Sequence, residues 1–195
     1  MKTTTYSRVL EQAKRLAHRS GTVPAEESAA LQVHLGVALA EAWTSRWWPE
    51  LAVIEEVTPT SQLIDRRIGD ADEIGTIIGV YSADPRTASN WKLYAFAEHG
   101  DDVVVHTTAE TVWLEYMPPA TALDDMTAEE LESATVPDLF ASAIAKQAAG
   151  QLLLGDGLQE EGWAKINSGK KDLEELVLQL NFPRWWTRIV VNHCM

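Results

Sequence analysis

Between residues 6 and 19 the apolar positions Tyr6, Val9, Leu10, Ala13, Leu16 and Ala17 recur at intervals of three and four, with Arg8, Glu11, Lys14 and Arg15 outside them. That is the period of an amphipathic helix, and Gly21 is its expected stop. A second helix is predicted to open at Pro24, followed by Glu26 and Glu27 where the helix dipole favours negative charge. Leu31, Leu35, Ala38, Leu39, Ala42 and Trp43 line one side of it, and Pro49 is its expected end. A loop of about four residues makes an antiparallel helical hairpin the natural arrangement.

From residue 50 the period changes to two. The stretches ELAVIEEV, SQLIDRRI, GTIIGVYS, NWKLYAFAE, DDVVVHT and ETVWLEYM are short, rich in Val, Ile and aromatics, and separated by Gly, Pro, Asp and Asn. They predict one small antiparallel sheet. AEHGDD is the expected turn of a hairpin between residues 91 to 98 and 102 to 107, with His99 and Gly100 at its tip. MPPA closes the sheet, because two consecutive prolines cannot continue a ladder.

Helical spacing then returns, first in a short acidic segment near 127 to 133 and then in a longer helix from about Pro137. Phe140, Ala143, Ile144 and Ala148 share a face of the longer helix, Gly150 is a weak point within it, and Gly155 to Gly157 break it. A last helix over about 158 to 180 places Trp163 and Ile166 with Leu173, Leu176, Val177 and Leu180, with Gly169 set to kink it. NFPRWWTRIVVNHCM follows a helix stop and carries Ile189, Val190 and Val191 in a β-branched run, the pattern of an extended arm. Such an arm is ordered only when tied down, on this chain's own sheet or on a neighbour. The expected fold is therefore α+β: a helical bundle of residues 1–49 and 120–181, a small antiparallel β-sheet module of 50–119 inserted in it, and an extended C-terminal arm of 182–195.

Composition narrows the function. At 195 residues and 46% hydrophobic the chain supports a real core. It has no stretch of about 18 consecutive apolar residues, so no membrane span is expected. MKTTTYSRVLEQAKR has no apolar signal region, which makes the cytoplasm the default place of synthesis. Cys194 is the only cysteine, so neither an internal disulfide nor a thiolate metal cluster is available. A net charge of −13 and a pI near 4.7 argue against a reader that grips phosphate through a basic face. The same charge suits a surface that nucleic acid must pass without sticking.

No catalytic constellation emerges. His18, His34, His99, His106 and His193 show no zinc-like spacing. EHGDD offers Glu98, His99, Asp101 and Asp102, and GDADE offers Asp70, Asp72 and Glu73, but neither matches a twelve-residue calcium loop and polar turns commonly look this way. No phosphate-binding glycine motif and no nucleophile elbow is present. The expectation is a protein that is not an enzyme, with no catalytic residue, cofactor or metal.

The tryptophans are the better lead. SRWWPE at 45 to 50 ends a helix and enters the sheet, so Trp43, Trp47 and Trp48 are expected to wedge the second helix against the inserted strands. PRWWTR at 183 to 188 lies past the last helix with little chain left to bury it. Trp and Arg together suit the centre of an interface, so Phe182, Arg184, Trp185, Trp186, Arg188, Ile189 and Val191 are the candidate partner-binding residues.

Three stretches carry a resemblance to a known family: LAEAWTSRWWPEL with Glu55 and Glu56, IGVYSADPRTASNWKLYAF running on to TTAETVWLEYMPP, and VPDLFASAIAKQAAGQLLLGDGLQEEGWAKI. Over most of residues 30 to 168 the chain resembles the head-to-tail adaptors, or connector and neck proteins, of tailed bacteriophages. The resemblance implies a helical bundle with a β insertion, assembled as a ring of about twelve subunits below the portal. It implies C-terminal segments docked on the portal, a stopper or tail protein beneath, DNA passing without specific binding, and a place in the neck of the virion. It carries over no active site. An acidic lumen would let DNA slide, and Asp101, Asp102, Glu129, Glu130 and Glu132 are the candidates to line it. Two other readings stand beside this one: another neck component, such as the stopper or the tail completion protein, and an acidic binding or inhibitor module that masks a basic partner.

Overall fold

A computed structural model of the chain describes residues 2–19, 24–45, 48–65, 67–68, 72–99, 102–123 and 126–179. The fold is α+β, and the described residues fall into two compact units. One is helical and built from both ends of this span, residues 2–45 and 120–179; the other, residues 48–119, is all strand and loop.

The helical unit is centred on α4 (Asp138–Gly155), which packs against α1 (Tyr6–Leu16), α2 (Ala25–Thr44) and α5 (Gln159–Gln179). A helix with neighbours on three sides must be apolar nearly all round, and α4 buries Phe140, Ala143, Ile144, Ala145, Ala148, Ala149, Leu152 and Leu153. The amphipathic α1 buries Tyr6, Val9 and Ala13, and burial pushes the Tyr6 phenol up to about 12. On α2 all six residues expected along one side, Leu31, Leu35, Ala38, Leu39, Ala42 and Trp43, are buried.

The helix ends differ from expectation in an instructive way. Helix α1 stops five residues before Gly21, because His18 takes the left-handed conformation (φ 59°). Arg19 N–H then donates to the Lys14 carbonyl at 2.9 Å and His18 N–H to the Arg15 carbonyl at 3.1 Å, a closure normally built on glycine. The same closure ends α4 with Gly157 (φ 82°), where Leu158 N–H donates to the Leu153 carbonyl at 2.9 Å. Helix α2 ends at Thr44, before Pro49 is reached.

Helices α4 and α5 meet along glycine. A Cβ on Gly150 would lie 2.6 Å from the Gly162 carbonyl oxygen, and one on Gly169 would lie 2.6 Å from that of Ala143. Gly150 and Gly169 are thus points of backbone contact within continuous helices, where a weak point and a kink were expected. The α5 seam runs Gly162, Ile166, Gly169, Leu173, all buried. This phase turns Trp163 outward, 52% exposed, against the expectation that it joins Ile166 on the inner face. An indole has no room where two backbones touch.

A short ribbon that the spacing does not suggest ties the unit together: β1 (Thr3–Thr5) pairs antiparallel with β10 (Thr135–Pro137), Thr4 opposite Val136. Directly before β10 comes α3 (Ala128–Ser133), opened by a capping box in which the Thr127 hydroxyl accepts from Glu130 N–H while the Glu130 carboxylate accepts from Thr127 N–H at 2.7 Å. Thr127→Ala should cost about 1 kcal/mol, read as a lowered urea midpoint.

In the second unit the single expected sheet is two. Strands β2 (Val53–Val57), β9 (Val112–Met117) and β6 (Thr76–Tyr81) form one antiparallel sheet in the order β2-β9-β6. Strands β3 (Leu63–Asp65), β8 (Asp102–Val105) and β7 (Phe96–His99) form the other in the order β3-β8-β7. Both feed one core of Ile64, Ile77, Val80, Val103, Val105, Val112, Leu114 and Tyr116, so each sheet hides one face against the other's residues. A two-residue ribbon, β4 (Arg67–Ile68) with β5 (Asp72–Glu73), completes the strands. The expected hairpin is present as β7 and β8, with His99 paired to Asp102.

The expected tryptophan wedge takes another form. Trp43 meets Phe140 edge to face at 6.1 Å, inside the helical unit, because it shares a side of α2 with Leu39 and Ala42. Trp48 is fully buried in the strand unit, its backbone N–H donating to Met117 Sδ at 3.3 Å. Trp47 and the whole arm of 182–195 lie outside the described residues.

Candidate functional site

The chemically richest cluster of the strand unit is built on β6 and β9. Glu115 sits mid-strand between apolar neighbours and is only 1% exposed. Tyr81 Oη donates to Glu115 Oε2 at 2.6 Å, and burial, with Glu115 beside it, pushes the phenol above its ordinary value. The Tyr81 ring folds back over Gly79, where a Cβ would fall 2.6 Å from Oη, and a bulge between Ile77 and Gly79 accommodates it. Trp91 stands edge-on to Tyr81 at 5.2 Å. Alongside, Tyr116 Oη donates to Glu55 Oε1.

The loop from 82 to 92 is closed by Ser82 and Lys92, which exchange bonds of 2.9 Å. Within it Arg86 reaches Asp84 through Nε at 2.9 Å and the Ile54 carbonyl through Nη2 at 3.2 Å. Arg86 holds the Asp84 carboxyl below its usual range, and Asp84, then Glu115, hold the guanidinium above its own. Tyr81 and Glu115 are both buried, and their bond ties β6 to β9, while Arg86 on the Ile54 carbonyl fastens the loop to β2.

The helical unit offers an open feature. A groove of about 260 Å³ runs between α2 and α4, lined by His34, Val37, Ala38, Glu41, Gln147 and Gln151. Burial lowers the proton affinity of His34, which favours the neutral ring. Gln147 is 5% exposed, and its Nε2 makes no hydrogen bond. An amide donor in that state costs free energy until an acceptor arrives. Beside the groove α2 bears Val33 and Val37, 47% and 49% exposed, in line with exposed Ala29 and Ala40. Helix α2 is thus apolar on its packed side and on its outer side, whereas α1, of similar position in the bundle, is polar outside.

Of the residues expected to line an acidic surface, Glu129, Glu130 and Glu132 are exposed on α3. Glu130 is also committed to the cap, and Thr127 holds its carboxyl below the usual range. Asp102 is half-buried at the start of β8, in the other unit; Asp101 lies outside the described residues. The partner-binding candidates Phe182, Arg184, Trp185, Trp186, Arg188, Ile189 and Val191 lie outside them too. The metal candidates fare no differently: Asp70 is outside, and Glu98, His99 and Asp102 serve the β7-β8 ladder.

Val33, Val37 and Gln147 were not legible as a site. The signal was present in LQVHLGVALAEAW, where Val33 and Val37 add a second apolar side at a spacing of four. Compared with protein-family models the chain matches none, and compared with curated proteins it matches none.

Proposed function

We propose that the protein is a non-enzymatic structural protein of a tailed bacteriophage, a head-to-tail adaptor whose copies form a ring of about twelve between the portal and the stopper or tail protein. The observation that carries this reading is the outer side of α2. Val33 and Val37 present apolar surface where no part of the described chain covers them, as a subunit glued sideways to its copies requires. The three stretches that resemble the adaptor family fall on connected structure: the end of α2 into β2, the span from β6 to β9, and the glycine-seamed α4-α5 hairpin.

The charge of −13 per subunit supports a channel that repels phosphate. Glu129 and Glu132, exposed on α3, are candidates to face it, as are the cap residue Glu130 and Asp101 and Asp102. In this reading the protein is made in the host cytoplasm, resides in the virion neck, and anchors on the portal through residues 182–195. The alternative of an acidic module masking a basic partner draws on the same charge but gives the apolar side of α2 no role.

Deleting residues 182–195 should abolish co-purification with the portal while the helical circular dichroism and the ring-sized native mass persist. Portal binding retained by the shortened chain would refute the anchor. A full-length chain that stays monomeric with and without portal would refute the ring.

A further inference from the structure

The groove between α2 and α4 has the marks of a receptor for an extended chain segment. Its volume of about 260 Å³ falls below the roughly 300 Å³ at which small-molecule sites begin, and suits one or two large side chains. Its lining includes Gln147, whose buried Nε2 makes no hydrogen bond, and an extended segment supplies main-chain carbonyl oxygens in series. Its outer lip is Val37, continued by Val33, and its rim carries the Glu41 carboxylate.

The chain itself contains a segment of matching chemistry. Residues 181–195 hold Arg184 and Arg188 and none of the protein's 29 acidic residues, so they are basic against a body that carries every acid. They also hold Trp185, Trp186, Ile189 and Val191. Fully extended, fifteen residues span about 50 Å.

We infer that, in the ring before it meets the portal, residues 181–195 of one copy lie in the α2-α4 groove of the next. The inference rests on the ring reading above. Trp185 or Trp186 fills the groove over Ala38, a main-chain carbonyl accepts from the Gln147 amide as that side chain turns toward it, and Arg184 or Arg188 pairs with Glu41. One arm and one groove per copy make a heterologous contact, the kind that closes into a ring.

The native Cys194 gives the test its handle. Full-length protein carrying Gln151→Cys, without portal, is treated with a short bis-maleimide. Covalent multimers are expected, and they should vanish when Cys194→Ser is added. Arg184→Glu with Arg188→Glu, changes at residues outside the groove's lining, should lower the yield at least tenfold. If Gln151→Cys fails to fold, Glu41→Cys presents a thiol from the opposite wall.

Linkage within single chains only would place the arm in its own groove and overturn exchange between copies. Multimers no more abundant than with Cys194 alone would overturn the groove as receptor. Native mass reads the ring separately: a ring without the cross-link sinks this inference alone, whereas cross-linked chains that never form a ring sink the ring reading and leave the arm in its groove.

Discussion

Gly150→Val should destabilise the helical unit by about 3 kcal/mol and lower the urea midpoint of its helical signal accordingly. Two terms oppose each other. Removing glycine from a helix interior is favourable by about 0.5 kcal/mol for valine. Against this, the first added carbon already lies 2.6 Å from the Gly162 carbonyl oxygen and 2.7 Å from Ile166 Cγ1. A backbone atom cannot swing away as a side chain can, so α4 and α5 must part, and overpacking of this kind costs about 3 kcal/mol or more. The packing term wins. Gly155→Ala is the matched control, because nothing lies within 4 Å of its Cβ position. There the propensity term stands alone, and a gain of up to about 1 kcal/mol is expected. A Gly150→Val chain as stable as wild type would show that the two helices are not in backbone contact.

Tyr81→Phe should cost about 3 kcal/mol in the strand unit although it deletes a single oxygen. Both partners of the bond are buried, and the bond is 2.6 Å long. Taking the phenol donor from a carboxyl that water cannot reach leaves a desolvation cost in place with less to offset it. The cost should fall when the acceptor goes as well: Tyr81→Phe with Glu115→Leu should lose less stability than Tyr81→Phe alone, since an apolar pair makes no polar demand. Denaturation of the two variants side by side reads this. Equal losses would mean that the Glu115 carboxyl draws its stabilisation from other contacts, such as the charge of Arg86, which feels it.

The helix periods were legible residue by residue. Leu31, Leu35, Ala38, Leu39, Ala42 and Trp43 on α2, and Phe140, Ala143, Ile144 and Ala148 on α4, are buried as their spacing required. Each of the six strand-like stretches contains a strand. What spacing left open was which elements meet. Thr3–Thr5 has no hydrophobic alternation, and it becomes a strand because Thr135–Pro137 lies beside it, with Asp138 N–H donating to the Lys2 carbonyl at 3.0 Å. Trp163 shows the same limit from the other side. Its spacing to Ile166 fits one face, but the glycines at 162 and 169 select a face shifted by one residue.

The candidate groove was least legible of all. Gln147 in IAKQAAG and Glu115 in VWLEYM are each a polar residue among apolar ones. Their neighbours say that both are buried and cannot say that one finds a phenol 2.6 Å away while the other's amide nitrogen makes no hydrogen bond.

The sequence by itself determined the α+β class, the order of the main helices and of the strands between residues 50 and 119, the faces buried on α1, α2 and α4, and the acidic charge that disfavours a grip on nucleic acid. These follow from period and composition, which are local or additive. Only the tertiary structure decided that the strands divide into two sheets over one core, that glycine in α4 and α5 is a contact and not a flaw, and that α2 keeps an apolar side facing out. Those depend on which distant residue comes within a few ångströms, and the period of a chain does not record the identity of its neighbour.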